Sequence, residues 1–273
     1  MSVPASLAAA YLLYAGLVYS NAYYSYFRVD LLAFGFNPSE FVIRSLRLVD
    51  WPVVSTLVLV TVAAHSGELL RRVPLPATTR RTWARLTDSM KYWHPLVPLA
   101  GLVGLLYWDK FRPNQWIVPA VLGVGLLLGE FTSRRAESPP PPITAGRRAR
   151  LLVVALCLLW AVAESAHQTG INDARTTEAA LDSRPEVHVL SVEPMHFSAG
   201  QGIVVEGPFG DDAHFKYRYT GLRLVIQRSG SYYVVPALWR HDTGITYEIR
   251  PSDSVQVTIR SALAPGRALG HPQ

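Results

Sequence analysis

Two pairs of ionisable residues share one spacing. His65 stands three residues before Glu68, Glu164 three before His167, and both pairs fall at the ends of long apolar stretches. On a helix, residues three apart lie on one face, so each imidazole and carboxylate are placed to share a proton or hold a cation. An acidic group at the centre of a bilayer costs roughly 2.5–3.5 kcal/mol on the insertion scale, which makes such pairs candidates for proton or cation handling. The structural alternative has more weight here, because each pair lies within a turn or two of a span end, where water and headgroups solvate it. Glu68 and Glu164 also point to opposite membrane surfaces in the topology derived below.

Other chemistry is sparse. His188, His196, His214 and His241 lie far apart in the last third of the chain without metal-ligand spacing, and Asp211-Asp212 sits in a glycine-bounded stretch that reads as a solvated turn. There is no GxSxG, phosphate-binding loop or HExxH, and Gly200-Gln201-Gly202 lacks the third glycine of a dinucleotide fingerprint. No catalytic residue, metal site or cofactor is therefore assigned. The sequon Asn37-Pro38-Ser39 carries proline at the forbidden position. Residues 167–273 hold 10 Lys+Arg against 11 Asp+Glu, which argues against nucleic-acid binding by this part.

The elements that would position these residues change texture along the chain. The 273 residues are 49% hydrophobic and 17% charged, below the roughly 25% charged of soluble domains. The pattern predicts a multi-pass helical membrane region over residues 1–166, with five spans near 5–27, 51–70, 92–108, 115–131 and 151–166. The first has no charge over its length, and no Lys or Arg precedes it as a cleaved signal would require. The fifth, at 16 residues, rises only about 24 Å against a hydrocarbon core of about 30 Å. Only Asp109–Asn114 separates the third from the fourth, which predicts an antiparallel helical hairpin. Gly125 and Gly129 form a GxxxG pair opposite Ala100 and Gly104, a small-residue face suited to close helix packing or homo-oligomerisation.

Basic residues set the expected orientation. Residues 71–91 carry six Lys+Arg and 132–150 carry five, against three in 28–50 and two in 109–114. Cytoplasmic loops keep such residues, so the N-terminus is placed inside and the C-terminal part outside; a fifth segment that failed to cross would reverse the latter. Trp51, Trp93, Trp108, Trp116 and Trp160, with Tyr23, Tyr24 and Tyr26, read as an interfacial aromatic belt. Asn37-Pro38-Ser39-Glu40 followed by Phe41, Val42, Ile43, Leu46 and Val49 predicts an amphipathic helix on the outer surface. Pro139–Pro142 mark a solvated spacer.

Residues 167–185 read as a linker, after which the period becomes two. Phe215, Tyr217 and Tyr219, then Ile245, Tyr247 and Ile249, then Val255, Val257 and Ile259 alternate with polar neighbours. With 186–192, 202–206, 222–227 and 232–235 this predicts about seven strands in a small β domain over 186–273, a sandwich or barrel, with a hairpin at Arg228-Ser-Gly-Ser231. The only cysteine, Cys157, lies in the fifth apolar stretch, so no disulfide supports that domain.

The runs Tyr23–Phe36, Tyr217–Leu224 and Tyr232–Pro236 resemble multi-pass bacterial membrane proteins that have a C-terminal β domain. The resemblance implies that architecture in a bacterial plasma membrane, and no activity. A non-enzymatic integral membrane protein follows as the leading expectation, its extracytoplasmic β domain binding a protein or envelope partner. A transporter or channel subunit using His65, Glu68 or Glu164 is the alternative, and a membrane enzyme the third.

Overall fold

The computed structural model describes residues 3–31, 38–45, 96–112, 114–136, 145–198, 200–210 and 212–261. They divide into two compact units, one built from 1–19 and 38–169, the other from 20–37 and 170–273.

The first unit is helical. Its elements are the leading turns of α1 (Val3–Tyr26), α2 (Pro38–Ser45), α3 (Leu96–Leu106), α4 (Ile117–Ala136) and α5 (Ala145–Ala179) as far as Thr169. Ala15 and Tyr19 of α1 pack on Val162 and Ala166 of α5, and α2 crosses α1 at Gly16, where a Cβ would lie 2.0 Å from the Phe41 carbonyl oxygen. Phe41 is buried and Ile43 exposed, so α2 is two-faced as its sequence predicts. The helical hairpin is present, joined by a 3-10 turn at Trp108–Phe111. Small residues let its arms meet antiparallel: a Cβ on Gly101 would stand 2.8 Å from Leu122, on Gly104 3.2 Å from Val118, and on Gly125 2.5 Å from Pro98.

The five-span architecture is not what these helices support. Among the described residues one helix, α5, is long and apolar enough to cross a membrane. Helix α3 has 11 residues and the apolar part of α4, Ile117–Gly129, has 13, which rise about 16 and 20 Å, well short of a hydrocarbon core of about 30 Å. Helix α1 is long, but its last turns carry three tyrosines, Tyr23, Tyr24 and Tyr26, that are built into the second unit. The expected span 51–70 lies outside the described residues. Residues 151–166, read as a short and marginal span, are the middle of a 35-residue helix. The segment read as a linker continues that helix to Ala179, with no proline inside the run to break it.

The second unit holds one six-stranded antiparallel sheet instead of a sandwich or barrel. Its strands are β1 (Glu186–Ser191), β2 (Val204–Glu206), β3 (Tyr217–Arg228), β4 (Ser231–Pro236), β5 (Tyr247–Ile249) and β6 (Val255–Arg260), in the order β5-β4-β3-β1-β6 with β2 on β3. Strand β3 is the organiser. One of its edges pairs β1 through 217–223, while the other pairs β2 through 218–220 and then β4 from Leu222 onward. The change of partner falls at Gly221, whose φ is +78° and whose Cβ would meet the Gly202 carbonyl oxygen at 2.1 Å. A glycine expected to end one strand thus bends a single longer one. The predicted hairpin forms, with positive φ at both Ser229 and Gly230, the geometry that matches strand twist. Val187, Val189, Tyr219, Leu222, Val234 and Ile249 make the core, and Met195 donates its N–H to the Tyr219 hydroxyl at 2.7 Å.

Candidate functional site

The richest polar constellation lies inside the second unit, where the end of α1, the end of α5 and the connection between β4 and β5 converge. Helix α1 ends in a paired closure: Val29 donates to the Tyr24 carbonyl at 3.0 Å and Arg28 to that of Ser25 at 2.9 Å. The residue in the left-handed position of such a closure is usually glycine, yet here it is Arg28, with φ +58°. Its guanidinium accounts for the choice, because it donates to the carbonyl oxygens of His241 (3.1 Å) and Asp242 (2.9 Å). A locally unfavourable backbone is held by contacts far away in sequence.

The aromatic residues before Arg28 fill the space this clamp creates. Phe27 is fully buried against Trp239, ring centroids 5.1 Å apart, and the Tyr26 ring stacks on His241 at 4.0 Å. Gly244 is required beneath the indole, since a Cβ there would stand 2.2 Å from Trp239 Nε1. The Tyr26 hydroxyl donates to Glu178 Oε2, and the other carboxylate oxygen accepts the His241 backbone N–H at 3.2 Å. His241 Nδ1 is 2.9 Å from the Tyr26 carbonyl oxygen. That oxygen only accepts, so Nδ1 carries the proton. Arg184 donates to the Tyr23 hydroxyl (2.6 Å), which also meets Thr177 Oγ1 (3.2 Å), and Thr246 donates to the Phe27 carbonyl.

Beside this latch opens a cleft of about 560 Å³. Arg175, Glu178 and Ala179 of α5 form one wall, Leu181 and Asp182 of the following turn the base, and Ala237, Leu238, Trp239 and Arg240 the other wall. Comparison with protein-family models, curated proteins and solved structures finds no match. The chemistry of the cleft rests on these residues themselves. Burial first, then the hydrogen bond and negative charge of Glu178, push the Tyr26 phenol up to about 12, with Arg175 acting against them. At neutral pH Tyr26 is a fixed donor, and both Glu178 oxygens are occupied. The constellation holds a shape and presents a cleft; it offers no activated nucleophile.

The residues singled out by spacing are elsewhere. His65 and Glu68 lie outside the described residues. Glu164 is half-buried on α5 and His167 exposed, and they do not bond to each other: Glu164 Oε1 accepts from Gln168 Nε2 at 3.0 Å. With its amide turned to suit both neighbours, Gln115 also donates to Glu164 (3.3 Å) and accepts from the Trp108 indole (2.8 Å). Among the described histidines, His188 lies 3.5 Å from Glu186 and His214 meets the Asp253 carbonyl at 3.3 Å. Sequence reasoning missed Arg28, Glu178, Trp239 and Arg240. Tyr23, Tyr24 and Tyr26, read as a headgroup belt, instead join the latch or its packing, with Tyr23 and Tyr24 buried.

Proposed function

We propose that the protein is a non-enzymatic binding or sensing module anchored in a membrane by α5, with the sheet-bearing unit on the extracytoplasmic side. The observation that carries this reading is the continuity of α5. One helix supplies the apolar stretch and, within about three further turns, the Arg175–Ala179 wall of the cleft. Its apolar face favours lipid over a soluble core, because Leu152 and Leu156 are more than 60% exposed while Val162 and Ala166 on the same helix are buried. Leu99, Leu102 and Leu106 of α3 are also exposed, which adds apolar surface for lipid to cover. Arg147, Arg148 and Arg150 precede the stretch, and on a single crossing helix this basic flank favours the cytoplasm for the N-terminal end of α5. A ligand in the cleft would touch the same helix whose apolar stretch enters the bilayer, which suits sensing.

Fusion of a phosphatase reporter active only outside, or a fluorescent reporter active only inside, after Gln273 tests the placement. Phosphatase activity in a membrane fraction resistant to alkaline carbonate is the expected result. Fluorescence without phosphatase would put the sheet in the cytoplasm, and release by carbonate would remove the anchor.

A further inference from the structure

The geometry points to the cleft beside α5 as a binding site for a small organic anion with an apolar body, recognised through Arg240 and Arg175. This inference rests on the binding role proposed above and names its ligand class. Residues 167–273 are nearly neutral, with 10 basic against 11 acidic residues, yet the basic ones are not evenly spread. Arg175 and Arg240 line the cleft, and Arg223 reaches Asp182 at its base across 4.0 Å.

Of the two acids that line the cleft, Glu178 is already engaged and Asp182 faces solvent, its side chain 94% exposed. Glu178 is occupied by the Tyr26 hydroxyl and the His241 amide, and Asp182 has Arg223 for a neighbour. The Arg240 guanidinium is exposed and makes no hydrogen bond or ion pair among the described residues. A cation of this kind, on the rim of a concavity and next to a hydrophobic wall, is suited to carboxylate or phosphate oxygens in a bidentate fork. The wall is Leu238, 67% exposed, continued by Ala237 and the buried Trp239. The volume lies within the roughly 300–1,000 Å³ usual for small-molecule sites. An apolar body of ring size on Leu238 with its charged end toward Arg240 satisfies both features at once.

Isothermal titration of the full-length protein in a non-ionic detergent tests this with four soluble probes: phenylacetate, phenyl phosphate, neutral phenylacetamide and cationic benzylamine. Saturable binding of at least one anion is expected, about tenfold or more tighter than phenylacetamide, and the two anions separate carboxylate from phosphate recognition. R240Q is expected to remove that preference and Leu238→Ser to weaken all aromatic probes alike, with the thermal midpoint of each variant showing that the fold is retained. Equal binding of phenylacetamide or benzylamine, or an anion preference unchanged in both R240Q and R175Q, overturns the anion assignment while leaving a binding role. Silence of all four probes overturns the assignment and the cleft's role together, without touching the membrane anchor.

Discussion

Arg28 joins two unfavourable features that make sense only together: a left-handed backbone at a position that favours glycine, and a long side chain stretched to two carbonyl oxygens of the β4–β5 connection. Replacing it separates the two terms. R28A keeps the strained backbone and loses the charged hydrogen bonds, and is expected to cost about 1–2 kcal/mol in chemical denaturation. R28G loses the same bonds but relieves the strain, recovering about 1 kcal/mol; equal losses in the two variants would show that the backbone is not strained. Glu248 sets a pH dependence at the same scale. Hydrogen bonds from Ser231 and Arg250 hold its carboxyl below the ordinary value of 4.5. A depressed acid contributes stability above that value and loses it as pH falls through the folded-state value. The acid limb of a melting-temperature profile is therefore expected to flatten in E248Q, and an unchanged limb would assign it to other carboxylates. None of the latch could be read locally. A crowd of tyrosines at a helix end has the same signature as an interfacial belt, and its partners Glu178 and Trp239 lie more than 150 residues away.

Elements were more legible than sites. The hairpin of α3 and α4, the amphipathic α2 and the Ser229-Gly230 turn follow from spacing, capping and turn chemistry, because each depends on neighbours in sequence. The strand count missed by one where Gly221 bends β3 instead of ending it, since glycine in a strand reads alike in both cases. The helical reach of α5 was also missed: Gln168–Ala179 is polar enough to resemble a linker, yet Ala174 is fully buried and anchors one face of the helix. The hairpin gives a graded test. A Cβ at Gly101 meets Leu122 backbone at 2.9 Å, whereas at Gly104 it meets only the Val118 methyls at 3.2 Å, and at Gly146 of α5 nothing within 4 Å. The expected order of destabilisation is G101A, then G104A, with G146A neutral or stabilising by up to about 1 kcal/mol from helix propensity. Equal midpoints for G101A and G104A would mean that the two arms separate easily.

At the scale of the molecule, the division into units does not follow the chain. Residues 20–37 belong with 170–273, so the sheet-bearing unit is assembled from both ends of the sequence. A boundary at 186, the one that periodicity suggests, leaves out Tyr26, Phe27, Arg28 and Glu178, because no run of alternating residues marks them. A fragment of residues 183–273 is accordingly expected to melt several degrees below one of 168–273, and a peptide spanning 20–31 is expected to raise the midpoint of the latter by mass action. A peptide without effect would show that the sheet completes its core without α1. The same discontinuity also orders events in time. Tyr26 and His241 are 215 positions apart, a gap that a ribosome adding roughly 5–20 residues per second takes about ten to forty seconds to cover. The tyrosines of α1 therefore emerge long before the residues that cover them, and the closure that buries Phe27 against Trp239 is one of the last and most non-local steps of folding. During that interval the nascent chain carries an exposed aromatic end, a natural point for a chaperone or the membrane surface to hold it until synthesis ends.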